Sequence, residues 1–156
     1  MPPSHLPLLD DDEIVRYVPP KLVDGEVIAP DAFLPRDRDF DSTIGKYGVS
    51  CNWLQYFPPP EESQVASVRG ASRIMLKANG RFAKLQIGAA RAAISVAGEV
   101  SRAVTFIRDE LPAEGEYLAD DSHAVITGLT SLADPEDKII LQLLVDSVTS
   151  LHPGKI

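Results

Sequence analysis

The sequence has little cysteine, few aromatic residues and no long apolar run, and each scarcity excludes a class of protein. Cys51 is the single cysteine among 156 residues, which excludes an intramolecular disulfide and a cysteine-based zinc site. No apolar stretch approaches the ~20 residues that a membrane-spanning helix needs. Aromatic residues make up 6% of the chain, so we expect a core of Val, Ile, Leu and Ala. These features favour a soluble protein of a reducing compartment.

Familiar functional motifs are missing as well. The chain has no GxxxxGK[ST] loop, no GxGxxG fingerprint and no HExxH motif, which disfavours nucleoside-triphosphatases, dinucleotide enzymes and zinc proteases. The histidines at positions 5, 123 and 152 are far apart in the sequence, so we expect no metal site and no cofactor. The N-terminus lacks the basic start and apolar stretch of a signal peptide, and we expect a cytoplasmic protein without a membrane segment.

Charge is unevenly distributed along the chain. The net charge is −8, which disfavours non-specific nucleic-acid binding. Residues 63–98 nevertheless hold six bases and no acid, whereas residues 99–156 hold eleven acids and four bases. A local anion site in the basic middle segment therefore stays possible.

The chain length suits one domain, and the order of elements predicts an α+β fold. Residues 1–12 read as a flexible acidic leader, and residues 13–156 as a single domain with a small mixed β-sheet and two main helices packed on one face. Alternating or β-branched runs predict strands at 14–18, 26–29, 82–87, 103–107 and 123–128, with a further strand entering a helical turn within 47–57. Asp24-Gly25 predicts a hairpin turn.

Two segments predict helices. The first begins at Glu61 after three prolines and extends to about Lys77, with acids in its first turn. The second has Asp134 as its N-cap, Pro135 at its first position and an apolar stripe that continues through Val148 to Leu151. The Ala-rich stretch 89–98 fits either a helix or a strand.

His123 is the first candidate for catalysis. It opens a predicted strand, and Asp121 precedes it by two residues, which is the minimum set for a general base with an orienting carboxylate. Ser122 is a poor nucleophile for this pair, because neighbours on a strand point to opposite faces. A structural role for a lone histidine at a strand start is the competing interpretation.

A basic helix face is the second candidate. Arg69, Arg73 and Lys77 recur at a spacing of four, so all three would project from one side of the first helix and could bind phosphate or carboxylate. An ordinary solvated face paired with acids elsewhere is the alternative.

The aromatic cluster Trp53, Tyr56 and Phe57 predicts either an exposed binding surface or, with so few aromatics available, part of the core. Cys51 beside it is expected to be a small buried residue, and a catalytic pair of Cys51 with His123 has no support in the spacing.

Three stretches resemble a group of small bacterial cytoplasmic proteins without an established activity. They are residues 14–20, 49–57 and 121–126, and Cys51 stands where that group has a smaller or β-branched residue. The resemblance implies a bacterial cytoplasmic protein that works beside a gene neighbour.

Two functions follow as hypotheses. The first is an accessory protein that acts through a protein partner or as a homo-oligomer, antitoxin-like or immunity-like, with an acidic surface facing a basic partner. The second is a small enzyme acting on a phosphate-bearing ligand such as a nucleotide or RNA. In it, His123 would be the general base, Asp121 would orient it, and Arg69 and Arg73 would hold the phosphate. The sequence leaves open whether the protein is an enzyme.

Overall fold

A computed structural model describes residues 3–156, in which ten strands and three α-helices are found. In chain order these are β1 (Glu13–Val18), β2 (Val23–Asp24), β3 (Val27–Ile28), β4 (Phe40–Asp41), β5 (Lys46–Tyr47), β6 (Val49–Trp53), α1 (Glu61–Ala71), β7 (Arg81–Gln86), α2 (Ile87–Ala97), β8 (Thr105–Arg108), β9 (His123–Thr127), α3 (Pro135–Asp146) and β10 (Val148–Pro153). Short 3-10 helices cover Pro20–Leu22, Pro30–Phe33, Asp37–Asp39 and Leu54–Tyr56.

Six of the strands form one sheet in the order β10-β7-β1-β6-β9-β8. Every pairing in this sheet is antiparallel. The predicted α+β class is confirmed, while the sheet is antiparallel instead of mixed. The hairpin predicted at Asp24-Gly25 is confirmed as the pair β2–β3, and Gly25 provides the left-handed backbone (φ 62°) that its turn requires.

Helices cover both faces of the sheet, not one face as predicted. Ile14 and Val18 of β1 join the larger core, which includes residues of α2 and α3. Val15, between them on the opposite face, joins a second core with Val65 and Val68 of α1. This arrangement follows from strand geometry, because successive side chains alternate between the faces and both faces of β1 are apolar.

The first helix is shorter than predicted, since α1 ends at Ala71 and not near Lys77. Ser72 is in the extended region (ψ 135°), and its hydroxyl accepts a hydrogen bond from the backbone N–H of Ile74 at 3.3 Å. Gly70 and Ser72 both have low helix propensity, and the serine side chain offers the backbone an alternative to the helical bond. The predicted helical face of Arg69, Arg73 and Lys77 therefore does not form.

The second predicted helix begins as expected and ends early. Asp134 caps α3 by accepting from the N–H of Asp137 at 2.7 Å, and Pro135 occupies the first turn. Val148 and Leu151 lie on β10, where Val148 is registered with Leu85 of β7, and not on the helical stripe predicted for them. The free edge of β7 satisfies the backbone of this β-branched segment, so tertiary pairing overrides the helical spacing.

The ambiguous Ala-rich stretch is helical, forming α2. The side chain of Gln86 accepts from the N–H of Ala89 at 3.0 Å at its start, and Gly98 ends the helix in the left-handed conformation (φ 67°). Within residues 3–156, none of the helices combines the length and the apolar character that crossing a membrane requires.

The segment expected to be an exposed leader runs along the edge of the sheet. Leu8 donates its N–H to Phe106 O at 2.9 Å, Arg108 donates to Leu6 O at 2.8 Å, and the Leu8 side chain is buried. An edge strand has unpaired backbone groups, and residues 6–8 satisfy those of β8. Residues 1 and 2 of the predicted leader lie outside the described part of the chain.

A buried carboxylate fixes the start of α3. Asp137 is fully buried and accepts hydrogen bonds from the N–H of Thr130 at 2.8 Å, the N–H of Asp134 at 3.1 Å and the guanidinium of Arg102 at 2.5 Å. Burial by itself raises the pKa of Asp137, but the hydrogen bonds from Thr130, Asp134 and Arg102 outweigh it and hold that pKa below its ordinary value.

Replacing Asp137 with alanine should lower the free energy of unfolding by about 3 kcal/mol, because buried donors lose their acceptor. Urea unfolding followed by Trp53 fluorescence measures this effect. Since the pKa of Asp137 is lowered by folding, its contribution is present above the ordinary value of about 3.9 and is lost as the pH falls through the folded value. The difference between wild type and variant should therefore shrink in acid. Asp146→Ala, at an exposed position of α3, is the control, and equal losses in both variants would contradict the prediction.

Candidate functional site

A cleft of about 410 Å³ lies over β6 and β9. Val15, Asn52 and His123 are registered neighbours across β1, β6 and β9, so the cleft opens on the sheet face that also carries α1. The β4–β5 hairpin forms its other wall. Among the residues that line it are Arg38, Asp41, Ser50, Asp109, His123 and Val125.

His123 is held at the cleft by Asp109. Its Nδ1 lies 2.8 Å from the backbone oxygen of Asp109 and 3.1 Å from Oδ2 of the same residue. A carbonyl oxygen and a carboxylate only accept hydrogen bonds, so Nδ1 carries the proton and the lone pair of the neutral ring is on Nε2. The pair is aligned by the sheet, because Asp109 directly follows β8 and donates its N–H to His123 O at 2.9 Å. A histidine with a fixed tautomer and an orienting carboxylate has the geometry of a general base.

Asp121 does not fill the orienting role that the sequence predicted for it. Its side chain is exposed, and it makes no hydrogen bond to His123 among the residues that the structure describes. Ser122 is fully buried, and its hydroxyl donates to Asp120 at 2.6 Å. The carboxylate partner of His123 comes from the neighbouring strand instead.

None of the three basic residues of the predicted ligand site lines the cleft at His123, and two of them bind the protein's own backbone. Arg69 donates through Nε and Nη2 to Pro153 O at 3.0 and 2.8 Å, at the β7–β10 side of the sheet. Arg73 donates to the carbonyl oxygens of Pro112 and Leu118, each at 2.8 Å. The Lys77 side chain is exposed. The arrangement expected for a phosphate site is therefore absent from residues 3–156.

A second histidine belongs to a polar cluster that joins α1 to the sheet. Glu61 accepts from Lys84 at 2.6 Å and from His152 Nε2 at 2.7 Å, and Ser150 also donates to Glu61 at 3.2 Å. Burial by itself raises the pKa of Glu61, but the bonds from Lys84 and His152 lower it overall. Ser150 and Glu61 both approach Nε2 of His152, whereas a catalytic triad needs them on opposite ring nitrogens. The cluster therefore links α1 to the sheet and does not form a catalytic triad.

Two residues of the aromatic cluster and the cysteine contribute to the core. Trp53 and Phe57 are half-buried against the two cores, while Tyr56 is exposed. Cys51 is buried on β6, and burial raises the pKa of its thiol to about 12. A thiol with that pKa has almost no thiolate at neutral pH, which removes Cys51 as a nucleophile for His123.

An exposed apolar surface is organised around Arg73. The Arg73 guanidinium lies 5.3 Å from the Tyr117 ring centre, and its hydrogen bond to Leu118 O holds that residue beside it. The exposed fractions of the apolar side chains here are 59% for Ile74, 82% for Met75, 49% for Tyr117 and 86% for Leu118. We call these four residues the apolar patch. A shallow groove between α1 and residues 116–119 adjoins it.

Sequence reasoning missed two residues that line the cleft, Asp41 and Asp109, and a third, His5, that the fold brings close to them. His5 Nε2 lies 3.8 Å from Asp109 Oδ1, so two of the three widely spaced histidines approach one carboxylate. Only the antiparallel pairing of β8 with β9 offered a signal, since it sets Asp109 beside the first residue of β9. The positions of His5 and Asp41 have no such local signal.

Comparison with known proteins gives no match among family models, curated proteins or solved structures.

Cys51 should resist thiol reagents in the folded protein. At pH 8 its thiolate is roughly a thousandfold scarcer than that of an exposed cysteine, because of the raised pKa. The rate of reaction with dithiobis-nitrobenzoate, measured with and without 6 M guanidinium chloride, tests this. Labelling of the native protein at the unfolded rate would contradict it.

Proposed function

We propose that the protein acts through a protein partner that binds the apolar patch. The observation that carries this proposal is that Arg73 contacts Tyr117 and Leu118 and is followed in the chain by Ile74 and Met75, and that all four of these apolar side chains are exposed. Large exposed apolar patches mark interaction sites, because their burial against a partner is favourable and their exposure to water is not.

Charge at the edge of the patch supports a basic partner. Glu114 lies 4.0 Å from Arg73, with 82% of its side chain exposed, and Glu116 is exposed beside Tyr117. An acidic rim around an apolar centre matches the usual anatomy of an interface. It also speeds association with a partner of opposite charge.

The proposal also names a cellular compartment, the cytoplasm, and two kinds of partner. A single unpaired cysteine, Cys51, fits the reducing cytoplasm. A basic toxin as the partner would give the protein the antitoxin-like or immunity-like role expected from its acidic charge. A second copy of the chain is the other partner that the proposal allows.

The double variant Met75→Arg/Leu118→Arg should lose its partner, because it places two cations in the apolar centre opposite a basic surface. Native mass spectrometry of the gently purified protein should show a stoichiometric complex for the wild type. Salt titration of the complex should weaken it, since the acidic rim is screened. For the double variant we expect an affinity at least about 30-fold lower, as at an interaction hot spot.

Leu132→Arg is the matched control, because Leu132 is 80% exposed and lies in the segment before α3, outside the patch. It should keep the complex. A complex that survives the double variant, or a wild-type protein that is monomeric and carries no partner, would refute the proposal.

The contact of His123 with Asp109 favours a second candidate function, a small enzyme that uses His123 as general base. Nε2 would take a proton from a water molecule, whose oxygen attacks the substrate. The phosphate-binding part of this hypothesis has less support, because Arg69 and Arg73 are occupied by backbone carbonyls and Arg38 is the one cation among the described residues that line the cleft.

Hydrolysis of bis(p-nitrophenyl) phosphate tests the enzyme candidate. The attacking water loses its proton to His123, the bond from phosphorus to the aryl oxygen breaks, and p-nitrophenolate leaves. His123→Asn should lower the rate by about 10²–10⁴-fold, the usual contribution of a general base. His152→Asn is the control, since His152 lies in the Glu61 cluster. The candidate fails if the wild type releases no p-nitrophenolate or if His123→Asn keeps the wild-type rate.

A further inference from the structure

Three metal-ligating side chains from distant parts of the chain meet at one end of the cleft. His5, Asp41 and Asp109 each offer a ligand atom, and these atoms all lie within 4.8 Å of one another. His5 precedes the segment paired with β8, Asp41 ends β4, and Asp109 follows β8. Asp41 and Asp109 also line the cleft.

His5 presents a nitrogen that has no partner. Its Nε2 is buried, makes no hydrogen bond within the described residues and lies 3.8 Å from Asp109 Oδ1, which is too far for a hydrogen bond. Leaving a polar atom buried and unpaired is costly, so such an atom in a native structure points to an absent partner. The backbone at His5 is left-handed (φ 52°), a conformation that few residues other than glycine adopt.

The two carboxylates also lack a cation. Within residues 3–156, neither Asp41 nor Asp109 forms an ion pair with a lysine or arginine; the side-chain nitrogens near Asp109 are those of the His5 and His123 imidazoles. Two carboxylates this close repel each other, and a bound cation relieves the repulsion.

Asp109 and Asp41 are each oriented by a hydrogen bond from a neighbouring residue, as the ligands of a metal site usually are. Asp109 Oδ2 is 3.1 Å from His123 Nδ1, while Oδ1 is the oxygen nearer to His5. Asp41 Oδ1 accepts from the N–H of Thr43 at 2.8 Å. Contacts of this kind fix the direction of a ligand and are part of the site.

We propose that His5, Asp41 and Asp109 bind one divalent transition-metal ion, with Zn²⁺ as the ion that this donor set fits best. Imidazole favours Zn²⁺ over Mg²⁺ and Ca²⁺, and carboxylates also ligate it. Two ligands at about 2.1 Å from one zinc ion lie no more than about 4.2 Å apart, which the 3.8 Å between His5 and Asp109 satisfies. Three protein ligands would leave a coordination position for water. Two of these ligands, Asp41 and Asp109, line the cleft together with His123.

Calorimetric titration of the tag-free 156-residue chain with ZnCl₂ tests the proposal. One equivalent should bind, and a Co²⁺-loaded sample should show the visible absorption of a low-coordinate site. His5→Ala and Asp41→Asn should each lower the affinity at least tenfold. His123→Asn should lower it by about 10–100-fold, as loss of an outer contact does.

Two matched controls separate a specific site from general loss of histidine or charge. His152→Ala removes the histidine of the Glu61 cluster, and Asp24→Asn removes an exposed acid in the β2–β3 hairpin. Both should keep the wild-type affinity, and circular dichroism should show that His5→Ala and Asp41→Asn fold without metal. Absence of Zn²⁺ binding, or affinity unchanged by His5→Ala and Asp41→Asn, would overturn the proposal. Neither result tests the separate proposal that a partner binds the apolar patch.

Discussion

The structure depends on the burial of β1 on both faces. Ile14 and Val18 enter the core beneath α2 and α3, and Val15 enters the core beneath α1, so one strand belongs to two hydrophobic clusters. β1 also pairs with β6 on one side and β7 on the other. Because apolar burial is the main favourable term in folding, this strand couples the helices on the two faces of the sheet.

The same backbone pairing that builds the sheet assembles the cleft. Asp109 and His123 exchange backbone and side-chain hydrogen bonds at the end of the β8–β9 ladder, which holds the imidazole in one tautomer. The basic residues have a different use. Arg69 and Arg73 donate to carbonyl oxygens that lie outside regular elements or at their ends, where no ladder partner is available. The two guanidinium groups therefore stabilise the fold. The cleft, which neither of them lines, keeps an acidic lining.

The segment between β8 and β9 links the two candidate sites. Asp109 lies at its start and His123 follows its end, while Tyr117 and Leu118 in its middle belong to the apolar patch. Arg73 anchors this segment to the residues after α1. A partner on the patch would therefore contact the connection whose two ends, Asp109 and His123, line the cleft.

Local signals in the sequence determined the elements that need few distant contacts. The cap at Asp134, the turn at Asp24-Gly25 and the strand beginning at His123 are all present, because capping, turn conformation and alternation act within a few residues. Tertiary structure alone decided that Val148 joins a strand, since the free edge of β7 outweighed helical spacing. It likewise decided the site. His5, Asp41 and Asp109 come from segments that are far apart in the sequence, and only the folded chain brings their ligand atoms within 4.8 Å of one another.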